Sequence, residues 1–161
     1  MTSKMVPKLL KDVQTSFQFG IPNAIKLGWD PNRLFDEFKN RFSAHSVFNC
    51  TDFNYSFCNR FEIEPQYEGP ICYTLTARFS FIAPVYSVHS TKYMASKTRG
   101  CVVPETSDRT MSFLTGLIHE FANSKGFSVF LSEMSDIAVE GVALELSEVA
   151  TLGKCLFEDY E

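Results

Sequence analysis

The chain has very little catalytic vocabulary. Its 161 residues include three histidines, His45, His89 and His119, and none has a second histidine close by. A zinc site needs about three converging protein ligands, and His119-Glu120 lacks the second histidine of HExxH. There is no GxSxG elbow, no P-loop and no GxGxxG. The sequence therefore predicts no metal, no cofactor, no catalytic residue and no enzymatic activity. The five cysteines, at positions 50, 58, 72, 101 and 155, are odd in number and contain no CxxC. Reduced thiols in a cytoplasm are the expectation, with Cys72 and Cys155 as small core residues. No run of about 20 apolar residues is present, so no membrane span is expected. Met1 to Leu10 carries lysines but no apolar core of a signal peptide.

Basic residues are the next scarcity. Net charge is −4, and it is unevenly spread. From Thr110 onward only Lys125 and Lys154 oppose nine carboxylates. Phosphate recognition needs a basic patch, so direct nucleic-acid binding is disfavoured. A basic protein partner is compatible with this balance.

Aromatic rings are abundant, with 16 phenylalanines against one tryptophan. Many fall in an alternating stretch. Phe53, Tyr55, Phe57, Phe61 and Ile63, then Ile71, Tyr73, Leu75, Ala77, Phe79 and Phe81, keep one parity. Asn54, Ser56, Glu62, Glu64, Thr74, Thr76, Arg78 and Ser80 lie between them. A period of two marks a sheet with one buried and one wetted face. The segment from Pro65 to Pro70 has turn chemistry. Together these predict a β-hairpin over 51–64 and 70–82, with Tyr73, Leu75, Phe79 and Phe81 buried and Thr74, Thr76 and Arg78 wetter. Ala83-Pro84 breaks the ladder, and 85–93 reads as a further strand.

Three helical patterns accompany the strands. Val6, Leu9, Leu10 and Val13 form one face of a short N-terminal helix that ends before Gly20. Asp30-Pro31 opens a second, with Leu34, Phe35, Phe38 and Phe42 at helical spacing and an end near Ala44. The third and longest runs from Ser107 to Lys125, with Met111, Leu114, Leu117, Ile118, Phe121 and Ala122 as one stripe. Thr106 or Ser107 is placed to cap it and Gly126 to end it. Lys97-Thr98-Arg99-Gly100 reads as a loop, 127–131 as a short strand or connection, and 149–157 as a closing strand. The expected architecture is a single domain over 1–161 of the α+β class. It is a twisted antiparallel sheet with N-terminal helices and a long amphipathic helix packed on one face. A chain of this length buries roughly 70% of its unfolded surface.

Few side chains then remain for function. Cys72 and His89 could meet across a hairpin, but activation needs hydrogen-bond reach and a depressed thiol pKa. Glu62 and Glu64 are explained by a solvated sheet face. The remaining constellation is acidic: Glu133, Asp136, Glu140, Glu145 and Glu148, followed by Glu158, Asp159 and Glu161. These residues either solvate apolar strands or form one surface that steers a basic partner. The absence of interleaved lysine favours the second reading, since a merely solvated surface mixes signs. The five carboxylates from Glu133 to Glu148 are the candidate partner-binding residues, with Phe130 and Tyr160 as candidate aromatic anchors.

The run Tyr73–Tyr93, containing Phe79-Ser80-Phe81-Ile82-Ala83-Pro84-Val85-Tyr86, precedes the long amphipathic helix. The chain then closes on Val149-Ala150-Thr151-Leu152-Gly153-Lys154-Cys155-Leu156-Phe157-Glu158-Asp159. This pattern resembles the small immunity proteins of bacterial contact-dependent inhibition and polymorphic-toxin systems. It covers roughly the C-terminal 90 residues and carries over no catalytic residue. The resemblance implies a cytoplasmic antidote that binds one cognate toxin domain, often a basic nuclease, and blocks its active site. Two other readings stand beside it. A small-ligand-binding or scaffolding domain would show a pocket between the sheet and the Ser107–Lys125 helix. An enzyme assembled from dispersed residues would place His89 or His119 beside a thiol or carboxylate.

Overall fold

A computed structural model of the chain describes residues 2–52, 54–94 and 99–160. Phe53 of the alternating stretch, Lys97 and Thr98 of the expected loop, and Glu161 lie outside the described residues. The elements run in the order α1 (Thr2–Phe17), α2 (Phe35–Arg41), β1 (Ser46–Asn49), β2 (Cys58–Glu64), β3 (Ile71–Ser80), β4 (Val85–Met94), β5 (Cys101–Val103), α3 (Arg109–Ser124), β6 (Ser128–Val129) and α4 (Leu152–Leu156). The strands form one open sheet ordered β1-β2-β3-β4-β5, antiparallel throughout, with β6 added parallel to β4. The chain is thus α+β, with an antiparallel sheet at its centre.

The β2–β3 hairpin forms in the expected register, with Phe61 opposite Ala77 and Ile63 opposite Leu75. Its first strand starts later than the alternation suggests. Asp52 accepts from Asn54 N at 2.9 Å in a local turn, and side chains that bond their own backbone compete with the ladder in this way. The odd-numbered face of the sheet is apolar. Phe61, Ile63, Leu75, Ala77 and Phe79 are fully buried there, and α3 contributes Met111, Leu114, Ile118, Phe121 and Ala122 to the same core. Phe38 of α2 sits at its centre, with the rings of Phe42, Phe61, Phe79 and Phe121 at centroid distances of 4.7, 5.0, 6.2 and 5.4 Å. Tyr73 and Phe81 are only half-buried and Ile71 is exposed, because they lie towards the ends of the pairing.

The opposite face departs from expectation. Thr74, Thr76 and Arg78 are buried, not wet. Thr76 lies between Glu62 of β2 and His89 of β4, whose longer side chains flank it. Arg78 is covered by the C-terminal tail, its guanidinium 4.7 Å from the centre of the Phe157 ring. A second core explains the cover. Leu9, Val13 and Phe17 of α1 pack with Phe57, Phe130, Met134, Leu152, Leu156 and Phe157. This end of the sheet is therefore closed on both faces, and alternation alone cannot reveal cover supplied by residues 80 positions away.

Helix ends also differ from the sequence reading. Asp30 does not cap a helix; its Oδ1 accepts from Asn32 N at 2.8 Å, a local turn, and α2 begins only at Phe35. Leu34 before it has φ 66°, the left-handed region, which a non-glycine residue occupies only where packing over-determines it. The cap of α3 is Asp108 itself, whose Oδ2 accepts from Met111 N at 3.1 Å. Gly126 at φ 83° ends that helix as expected. The closing segment is not a strand. Thr151 caps α4 through Lys154 N at 3.4 Å, and a short apolar run does not by itself distinguish strand from helix. Cys155 is buried as expected, whereas Cys72 is exposed near the turn end of β3; the five thiols are unpaired. Register places Cys58 opposite Ser80 and Cys72 opposite Tyr93, at the two ends of the strand.

Phe79→Ala removes a ring that touches Phe38, Phe61, Tyr86, Phe121 and Phe127. The expected cost is about 3–5 kcal/mol, read from denaturant unfolding. A loss below about 1 kcal/mol would contradict the placement of this ring at the core.

Candidate functional site

The acidic C-terminal third divides into two groups. Glu158 and Asp159 do not belong to the surface: they are 1% and 2% exposed. Both oxygens of Glu158 lie 3.0 Å from Arg60 Nη1, and Oε2 lies 3.4 Å from Arg78 Nη1. Arg78 Nε donates to Ser87 Oγ at 2.9 Å, and Arg60 Nη2 reaches Glu62 at 3.2 Å. A buried carboxylate demands this much compensation, because taking an ion out of water costs several kcal/mol. Asp159 Oδ2 accepts from Glu145 N at 3.0 Å and Leu146 N at 2.8 Å, and Ser147 Oγ donates to the Asp159 carbonyl. The tail thus holds the loop that carries the other acids.

Glu133, Asp136, Glu140, Glu145 and Glu148 are all exposed. None forms an ion pair among the described residues. The segment bearing them has little regular structure, one turn of 3-10 helix at Ser132–Met134 and a bridge between Ala138 and Thr151. It is pinned from beneath. Met134, Val139 and Ala150 are buried between the acids. Val139 N donates to Ala150 O at 2.9 Å, Leu152 N to Ile137 O at 2.8 Å and Gly153 N to Ser135 O at 3.0 Å. Gly153 is required here, since a Cβ at that position would collide with Ser135. No three described His, Cys, Asp or Glu side chains approach closely enough to hold a metal ion, so the carboxylates line the loop without clustering. Leu131, Leu146, Val149 and Tyr160 are exposed in the same region. Phe130 is not an anchor: it is buried with its ring 5.3 Å from that of Phe157. The connection between α1 and α2 also leaves Phe19, Ile21, Ile25 and Leu27 exposed, so apolar surface is not confined to the acidic loop.

A cavity of about 510 Å³ opens at the outer edge of β4, where α3 crosses it. Its walls include Arg78, Ser87, Val88, His89, Thr115 and His119. The sequence signalled the two histidines but not that both line one cavity, His119 beside Tyr86 on the α3 face of β4 and His89 on the opposite face. His119 Nδ1 shares a hydrogen bond with Tyr86 Oη at 2.5 Å. Neither histidine is hydrogen-bonded to a thiol or a carboxylate among the described residues. His89 lies opposite Thr76 and Cys72 opposite Tyr93, so this pair does not meet directly across the hairpin.

Comparison with family models, with curated proteins and with solved structures gives no match.

Glu158→Gln leaves Arg60 and the buried Arg78 without their shared carboxylate, and the expected loss is about 3 kcal/mol in denaturant melts. A loss under about 1 kcal/mol would show that the pairing does not hold the tail. Burial, aided by the charges of Arg78 and Arg60, pushes the His89 pKa down to about 4 from its ordinary 6.5. Between these values the unfolded chain binds a proton that the folded chain does not. Stability from this site is therefore complete above about pH 6.5 and falls as pH drops towards 4, by about 1–3 kcal/mol. His89→Gln should flatten that part of the stability–pH curve; an unchanged curve would contradict a neutral, half-buried His89.

Proposed function

We propose that this chain is an immunity-type binding protein that docks its 131–149 loop onto the basic surface of a cognate toxin domain. The observation that carries the reading is the loop itself. Five exposed carboxylates with no basic partner among the described residues are presented on a segment pinned by buried side chains and by Asp159. Leu131, Leu146 and Val149 supply apolar area beside them. Binding then orders little new chain, which preserves affinity, and the one-sign surface speeds encounter with a basic partner. An enzyme site that grips phosphate is basic, so covering it with this loop excludes substrate without chemistry by the inhibitor. The resemblance to immunity proteins of polymorphic-toxin systems points the same way, and action on a toxin made in the same cell requires a cytoplasmic location.

The second reading, a small-ligand-binding domain, is favoured by the cavity between β4 and α3.

The test uses the C-terminal domain encoded by the upstream neighbouring reading frame, produced with and without this chain. Growth arrest by that domain, relief by this chain and direct association of the purified pair are expected. Glu133→Lys, Asp136→Lys and Glu140→Lys together should slow association at low salt by at least about tenfold, with circular dichroism unchanged. Equal association by the triple variant would remove the loop as the interface. Failure of the chain to bind or protect would remove the immunity reading.

A further inference from the structure

The outer edge of β4 is covered at two places and bare between them. β6 pairs with Val85 and Tyr86, and β5 with Ser90, Thr91 and Lys92. The carbonyls of Pro84 and Tyr86 accept from Ser128 N at 2.9 Å and Phe130 N at 2.7 Å. Even-numbered residues of β4 therefore direct their backbone groups to this edge, because alternate residues of a strand face opposite neighbours. Val88 is the even-numbered residue in the gap. β5 does not reach it: the strand ends at Val103, and Glu105, which the register would set opposite Val88, is already in the 3-10 helix Glu105–Ser107. From the other side, β6 ends at Val129. The Val88 N–H and C=O thus face the cavity with no hydrogen-bond partner among the described residues.

The surrounding wall is built to receive something. Val102, Val129 and Leu131 supply apolar sides. Thr115 of α3 is 6% exposed, and its hydroxyl has no hydrogen-bond partner among the described residues. Buried polar groups in native proteins find partners, and an exception calls for an explanation. The charged groups are largely spoken for: Arg78 is engaged by Ser87 and Glu158, and Glu105 lies at the exposed rim. The volume, about 510 Å³, lies within the range of small-molecule sites.

We infer that this cavity binds an uncharged planar ligand with an amide-type edge, a lactam or nucleobase-like heterocycle. An N–H and a C=O side by side on one strand residue complement an acceptor and a donor side by side on the ligand. The Val88 backbone reads that edge, and the Thr115 hydroxyl is a third contact. The faces of the ring lie against aliphatic and imidazole side chains. The site is independent of the acidic-loop reading.

The experiment titrates the isotope-labelled full chain with uracil against 1,3-dimethyluracil and with 2-pyridone against N-methyl-2-pyridone, so that no ring N–H remains in either control, following backbone amides by NMR. Saturable shifts at the Val88 amide are expected, with a Kd on the order of 1 mM for ligands so small. Methylation of the ligand nitrogen blocks the donor and should weaken binding at least about tenfold. Thr115→Val should weaken uracil binding about fivefold while the amide spectrum away from the cavity stays in place. Absence of a saturable Val88 shift with either probe, or equal binding of the methylated forms, overturns the inference. Equal affinity of the Thr115→Val variant removes the hydroxyl from the site.

Discussion

The pairing of Glu158 with Arg60 and Arg78 is the constraint on which the rest of the structure depends. Two arginines sit opposite each other on neighbouring strands, on a face that alternation marks as wet. Left in water they would be ordinary surface charges. The tail carries a carboxylate to them, places Phe157 over Arg78, and closes a second core against α1. Such a pairing is a poor source of net stability, because desolvation cancels much of the attraction. Its effect is positional. One register of the tail satisfies both guanidinium groups, and that register fixes the Asp159 contacts to Glu145 and Leu146.

The opposite face of the sheet works differently. There the aromatic rings around Phe38 and Phe79 hold α2 and α3 by area and ring contact rather than by charge. Such a core tolerates little change of volume, so α3 is a rigid wall. Thr115 and His119 inherit that rigidity on the side of α3 that faces the cavity. The floor is equally fixed, because β4 is paired along almost its whole length to β3. The segment from Val129 to Ser135, held by the end of β6 and one 3-10 turn at Ser132–Met134, forms a further wall.

Much of the fold is legible in the sequence, for identifiable reasons. Leu75, Ala77 and Phe79 alternate because one face of β3 meets helices. Gly126 ends α3 with the chemistry a helix terminus needs, whereas the cap falls on Asp108, one residue beyond Ser107. What escaped depended on distant partners. Arg78 reads as a wetted residue until Glu158 is known to reach it. Glu158 and Asp159 read as part of the acidic surface for the same reason, since a carboxylate in sequence carries no sign of its burial. Asp30-Pro31 has the signature of a helix start, but the aspartate closes a local turn instead. The acidic loop was visible as charge without lysine, whereas the β4 gap was not visible at all. It arises from an early exit of β5 at Pro104 and a brief visit by β6, and neither leaves a periodic trace.

The two candidate surfaces share one piece of chain. Ser132 and Ser135 line the cavity, while Glu133 and Asp136 beside them are exposed on the loop. The backbone between these faces is tied at Ser135 to Gly153 and at Ile137 to Leu152, so α4 limits how far it can move. A ligand against the inner side and a protein against the outer side would both act on that segment. If each favours the same arrangement, binding of one strengthens the other by an equal free energy; if they favour different arrangements, the coupling is negative. A ligand that contacts only Val88 and Thr115, on the rigid walls, has no differential interaction with the loop and shifts nothing. Coupling of a cavity ligand to a partner on the loop would therefore have to run through Ser132 and Ser135, which line the cavity beside the exposed Glu133 and Asp136.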